Sequence, residues 1–199
     1  MVWLKNYFIW FVLYSAAGWV WEVAFCSSRA GRLINRGFLC GPYCPIYGVG
    51  ALLVIWLLSG IEHPLLLFLA GALLTCLLEY FTSWVMEELF RTRWWDYSDK
   101  PLNLNGRVYL RGALAFGLLS VAVVKLVHAP VAAYTAQLPE PVASWIAVGL
   151  FALMLTDALY TVLRLSALWA GPRAPAQTQG GALSTTGGQT SGQPQGLEP

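Results

Sequence analysis

The chain has 199 residues, of which 57% are apolar, 14% aromatic and only 11% charged, with a formal net charge of +2. Soluble domains carry about 25% charged residues, and a water-soluble fold of this length has no interior large enough for so much apolar surface. A soluble protein is excluded, and an all-α polytopic membrane helix bundle is expected.

Hydropathy predicts five spans, each near the ~20 residues that cross ~30 Å of hydrocarbon as helix. The first covers roughly residues 3–25. Lys5 and the small residues Ala16, Ala17 and Gly18 also fit a cleaved signal peptide, but the apolar run continues through Trp19, Val20 and Trp21 to Phe25. That is longer than a typical signal core, so a transmembrane helix is expected. Glu22 falls late in this span.

The segment Asn35–Gly50, NRGFLCGPYCPIYGVG, packs an Asn-Arg-Gly turn, two X-Pro bonds and four glycines into sixteen residues. A simple connecting loop has no need of so many backbone-special residues, whereas a surface that must approach a ligand or another helix closely does. The second span, about residues 45–61, is short and opens on Pro45, so its start is expected to be irregular or partly re-entrant. Glu62, His63 and Pro64 form a tight turn. In the third span, about residues 64–86, Thr75, Glu79, Ser83 and then Met86 or Glu87 recur at three-and-four spacing, placing a polar stripe on one helix face.

Beyond it, Glu87–Ser98 (EELFRTRWWDYS) mixes acids, arginines and aromatics, as suits an interfacial segment at headgroup level. Asp96, between Trp95 and Tyr97, faces anionic lipid unfavourably unless it is paired. Asn103, Asn105, Gly106 and Arg107 read as a turn. The fourth span, about residues 108–128, carries Ala113 and Gly117, suited to close helix packing. The fifth, about residues 142–166, carries Asp157. After Pro172 the composition turns to Gly, Gln, Thr, Ser and Pro. Residues 1–170 therefore form the transmembrane domain, and 171–199 a low-complexity tail expected to be disordered.

Positive charge orients the bundle. Arg29, Arg32 and Arg36 lie in the first loop, Arg91, Arg93, Lys100, Arg107 and Arg111 in the third, and none in the second loop or between Leu126 and Trp145. The N-terminus is then outside and the C-terminus cytoplasmic, with Lys5 and Lys125 as exceptions. Helical rise from Pro64 places Glu79 about 22 Å deep, and Asp157 reaches a similar level in its own span. With Glu22, three carboxylates from three spans converge near the inner face. An intramembrane carboxylate costs at least ~2.5 kcal/mol and faces a partner inside the bundle. Arg36, Arg107 and Arg111 are the expected partners. Three readings stay open: helix glue, a ligand or ion site, and snorkelling toward the interface.

Cys40 and Cys44 fall on the expected cytoplasmic side, where thiols stay reduced, and His63 and His128 lie on the opposite face, so no metal site is expected. No Walker A, GxSxG or HExxH sequence occurs, and any ATP-driven function draws on another chain. No catalytic residue and no cofactor is assigned.

The ordered motifs GWVWE (Gly18–Glu22), NRGFLCGPYCPIYG (Asn35–Gly48), LEYFTSWVMEELF (Leu78–Phe90), RWWDYS (Arg93–Ser98) and NLNGRVYL (Asn103–Leu110) resemble the putative ABC-transporter type IV family, the CmpB-like bacterial multi-span membrane proteins. The resemblance covers roughly residues 8–120, with Phe116-Gly117 where that family tends to show Trp-Gly. It implies a multi-pass protein of the bacterial cytoplasmic membrane, a permease subunit of an ABC-type transporter. The partners expected are membrane lipids, a separate ATPase subunit and further copies of the chain, with no nucleic acid. Glu22, Asn35, Arg36, Glu79, Trp95, Asp96, Arg107 and Asp157 are the candidate ligand-binding residues, Asp157 on the physical argument alone. The alternatives are a lipid-handling membrane enzyme, with Arg36 or Arg107 on phosphate and Glu79 as base, and a non-catalytic assembly or regulatory protein. The absence of an evident nucleophile favours a non-enzymatic role.

Overall fold

Apolar segments in lipid must satisfy every backbone N–H and C=O internally, which a helix does locally. A computed structural model describes residues 2–32 and 37–170, and helix dominates them. The helices are α1 (Val2–Ala30), α2 (Pro45–Leu58), α3 (Pro64–Phe90), α4 (Leu110–Ala122), α5 (His128–Ala136) and α6 (Glu140–Ala170). A π-helical turn over Val123–Val127 joins α4 to α5 as one rod. Helices α1 and α3, the α4–α5 rod and α6 are each long and apolar enough to cross a membrane. The chain is a multi-pass helical membrane protein. The tail over 171–199 lies outside the described residues.

Two expected spans differ in length from their helices. Helix α2 begins at Pro45, whose missing N–H costs nothing at a first helical position. It holds only 14 residues, a rise of about 21 Å that falls short of the hydrocarbon thickness. The fourth span, expected to stop near His128, continues to Ala136. Pro130 has no N–H to bond the carbonyl of residue 126, and its ring crowds that carbonyl. The ladder opens into a π turn just before it, and the helix carries on.

The π turn also holds Lys125, whose Nζ donates to the Ile61 carbonyl at 3.0 Å. Lys5 pairs with Glu140 and donates to Ser144 Oγ at 3.1 Å. The two lysines that broke the charge asymmetry are thus both engaged at the same end of the bundle, opposite the arginine-rich loops.

Helix α2 is the central element, packed on α1 and α3, while α4 packs on α3, and α5 and α6 on α1. Lipid gives no hydrophobic drive for helices to associate, so close approach of small residues matters more. A Cβ at Gly18 would overlap the Tyr47 ring, and one at Gly48 the Phe11 carbonyl and Ser15 hydroxyl. Between α3 and α4, Gly71 meets Ser120, and Gly117 meets Phe68 including its carbonyl. Gly117 therefore packs as expected. Because the Phe11 carbonyl is backbone and cannot rotate away, Gly48→Ala is expected to cost about 1–3 kcal/mol. Thermal unfolding of the purified protein checks this, with Gly60→Ala as control, since nothing lies within 4 Å of that position.

Small apolar clusters tie α6 to the rest: Val12, Leu39, Tyr43 and Met154 in one, Ile9, Ala143 and Ala147 in the other. Many large apolar side chains, among them Leu4, Trp56, Leu73 and Leu163, point outward where lipid would cover them.

Candidate functional site

Glu22 sits one helical turn after Gly18, and the space left by that glycine admits the Tyr47 ring from α2. The Tyr47 hydroxyl donates to Glu22 Oε1 at 2.5 Å. On the far side, Cys26 donates to Glu22 Oε2 at 3.8 Å. Opposite, on α3, Glu79 is only 7% exposed. Tyr97 lines the same wall, and Glu79 Oε2 is buried with no hydrogen-bond partner among the described residues. Glu22, Glu79, Tyr47 and Tyr97 all line one cavity of about 610 Å³ between α1, α2, α3 and the rod.

Aromatic side chains line one end of this cavity. Phe38, Phe90 and Trp94 form a ring cluster with centroids 5.3–5.5 Å apart. Trp95 and Tyr97 follow on the wall. The sequence places these aromatics at headgroup level, and the chain after α3 turns them toward the cavity. Arg91 ends α3 in the left-handed conformation, with its N–H on the Glu87 carbonyl. A small antiparallel hairpin, β1 (Asn103–Leu104) with β2 (Val108–Tyr109), then lies beside the segment. At its tip Asn105 and Gly106 take φ of 54° and 68°, the left-handed region that Asn and Gly tolerate best. The hairpin holds the segment through Tyr97 N–H to the Gly106 carbonyl at 2.7 Å and Trp95 Nε1 to the Arg107 carbonyl at 3.0 Å.

Arg107 does not reach Glu79. The hairpin sets it one turn further along α3, where Nη1 donates to Ser83 Oγ at 3.1 Å and Nη2 lies 2.7 Å from Glu87 Oε2. Arg93 approaches the same carboxylate at 3.2 Å. The expected polar stripe exists but divides in two. Thr75 and Glu79 face the cavity, while Ser83 and Glu87 face the arginines. Arg111 is exposed.

Asp157 occupies a different place. Its Oδ1 accepts from Cys40 N–H at 3.1 Å, and its Oδ2 from Gly41 N–H at 2.8 Å and the Tyr43 hydroxyl at 2.6 Å. Thr161 adds a longer contact at 3.4 Å. Asp157 therefore latches the loop between α1 and α2 onto α6. Burial, and then the Asp157 carboxylate, raise the Tyr43 hydroxyl well above the ordinary tyrosine range.

Of the residues expected to bind a ligand, Glu22, Glu79 and Trp95 line the cavity. Asp96 lies outside it, accepting from the Ser98 hydroxyl at 2.6 Å and the Ser98 N–H at 3.0 Å. Those bonds, with Arg93 nearby, hold its carboxyl below the usual aspartate range. Arg107 and Asp157 also lie outside the cavity, and Asn35 and Arg36 lie outside the described residues. Tyr47, which bonds Glu22, and Tyr97 also line the cavity and are not among the residues the sequence points to. A tyrosine beside a glycine-rich bend was the signal for the first, but nothing in the sequence sets the inward turn of the second.

A family model described as putative ABC-transporter type IV matches residues 9–162. The chain belongs to that family. The match to the ABC-transporter type IV model runs beyond the motifs that carried the resemblance, through α4 and α5 into α6, and takes in Asp157. No curated protein matches the chain, and no solved structure does. In this member of the family, cavity, roof and latch all fall within the matched residues.

Proposed function

We propose that this protein is a permease-type subunit of an ABC-type transporter in a bacterial cytoplasmic membrane. Its ligand binds in the 610 Å³ cavity, and a separate ATPase chain supplies the energy, as the family assignment favours. The observation that carries this reading is Glu79: nine-tenths buried, on the wall of a cavity of ligand size, with one oxygen unpartnered among the described residues. A carboxylate kept only to glue helices has its oxygens satisfied, as Asp157 has. The lipid-handling alternative places Arg36 or Arg107 on phosphate; Arg107 is engaged with Glu87 and Ser83, and Arg36 lies outside the described residues. Few helices line the cavity, so a complete pathway is built from more than one copy.

Affinity purification of the tagged protein from its native host is expected to bring down an ATPase. Reconstituted ATP-dependent uptake should disappear in Glu79→Gln while the variant still purifies folded. Recovery of the protein without an ATPase, under conditions that preserve membrane complexes, would count against the permease reading.

The orientation proposed is N-terminus outside, which puts the Asp157-latched loop and the aromatic roof at the cytoplasmic mouth. Cys40 is exposed in that loop, whereas Cys44 is buried and its thiol is pushed up to about 11 by burial and then by Glu22. A membrane-impermeant maleimide is expected to label Cys40 quickly in inside-out vesicles and not in intact cells, and Cys44 slowly in either. Labelling of Cys40 from the outside would reverse the orientation.

A further inference from the structure

The charge and lining of the cavity narrow the class of ligand. Glu22 and Glu79 are the acids on its wall, and no Lys, Arg or His among the described residues lines it. Arg107, the arginine set against α3, is committed to Ser83 and Glu87. An anionic ligand would therefore enter a site with like charge and no counter-charge among the described residues. A sugar-like ligand is less well matched, because the wall is mainly apolar and several of its hydroxyls already donate within the protein. Thr75 Oγ1 donates to the Gly71 carbonyl at 2.7 Å, and the Tyr47 hydroxyl is given to Glu22. The lining that remains is aromatic and aliphatic, with Trp21 from α1, Trp94 and Trp95 from the segment after α3, and Phe116 from α4. Aromatic faces attract cations through their quadrupole, most strongly when water is excluded. Glu79 Oε2 supplies the matching charge, since a buried carboxylate oxygen without a partner is costly until a proton or a cation meets it.

We propose that the cavity binds an amphiphilic organic cation, a quaternary ammonium or phosphonium ion with apolar substituents, its charge against Glu79 and Glu22 and its substituents against the tryptophans. Such an ion donates no classical N–H or O–H hydrogen bond and asks for none, which suits a wall that is mostly apolar and aromatic. The volume of about 610 Å³ lies within the ~300–1,000 Å³ typical of small-molecule sites. The proposal deepens the permease reading and rests on the cavity being its ligand site.

The test uses two ions of one shape and opposite charge, tetraphenylphosphonium and tetraphenylborate. The full-length protein is placed in nanodiscs of zwitterionic lipid, and binding of each radiolabelled ion is measured after subtracting empty nanodiscs. Saturable binding of the phosphonium is expected, at least about tenfold tighter than the borate. Glu79→Gln should weaken the phosphonium by about tenfold or more, and Glu22→Gln by less, because Glu22 already holds two donors. Glu88→Gln, which removes the same charge from an exposed position, should leave the affinity unchanged. Equal or tighter binding of the borate overturns the proposal, as does unchanged phosphonium affinity in folded Glu79→Gln. If Glu79→Gln does not fold, the comparison of the two ions and Glu22→Gln decide. Phosphonium binding without an ATPase partner would keep the cation site and sink the permease reading. An ATPase partner without phosphonium binding would do the reverse.

Discussion

Arg107→Ala is expected to lower the stability of the folded protein by about 3 kcal/mol, the range for removing one partner of a buried ion pair. The Arg107 side chain is only 11% exposed, and its guanidinium serves several groups at once. It bonds Ser83 Oγ at 3.1 Å, meets Glu87 Oε2 at 2.7 Å and stacks over the Tyr80 ring at 5.6 Å. Truncation leaves the Ser83 hydroxyl buried without its donor. Glu87 keeps Arg93 and is about a third exposed, which holds the loss to the lower part of the range. Lysine at this position offers a point charge where a planar fork is needed, so Arg107→Lys should recover only part of the stability. The midpoint of thermal unfolding in detergent gives the size of the effect. A cycle with Glu87→Gln should show the two changes to be less than additive. A loss below about 1 kcal/mol would mean that the pair behaves like a surface salt bridge.

Asp157→Ala should cost a similar amount, about 3 kcal/mol, for a different reason. Hydrogen bonds to a charged acceptor contribute roughly 1.5–3 kcal/mol each, and their losses overlap when one group accepts them all. Removing the carboxylate strands the Gly41 N–H and the Tyr43 hydroxyl, the latter in a residue only 4% exposed, and frees the Cys40 N–H at an exposed position. Asp157→Asn keeps part of the acceptor capacity and should lose less. The second readout is local. With the loop released from α6, Cys40 should react with maleimide severalfold faster while α1, α2 and α3 stay assembled. Unchanged Cys40 reactivity in a destabilised Asp157→Ala variant would show that the loop is held by other contacts.

These residues also mark what the sequence could and could not reveal. Span positions follow from hydropathy because lipid fixes both the length and the composition of a crossing segment. Pro45 locates the start of α2 because only a first helical position suits it. The stripe Thr75–Glu79–Ser83–Glu87 follows from helical period alone. Its partners do not, because Arg107 is aimed by a hairpin whose register rests on Asn105 and Gly106. One residue of slip there would move the guanidinium to another level of α3. Asp157 looked like a third member of the carboxylate cluster because depth was the only coordinate available, and depth says nothing about direction around the helix axis. The glycines of Asn35–Gly50 do mark close approaches, since Gly48 meets α1 and Gly41 N–H meets Asp157. Its Asn35 and Arg36 lie outside the described residues.

The π turn over Val123–Val127 has a rotational consequence for the rod that carries it. Gly117 and Thr135 are eighteen residues apart in sequence, about five turns of an ideal helix, so an unbroken α-helix would present them to the same neighbour. Here Gly117 meets Phe68 on α3, while Thr135 accepts from Trp10 Nε1 at 2.8 Å and His128 lies 3.2 Å from the Tyr14 hydroxyl, both on α1. One extra residue in the ladder swivels the far half of the rod by on the order of 100°. A single stripe of sequence is thereby made to grip two different helices, and the rod joins α3 to α1 across the cavity like a key with its bit turned against its shank.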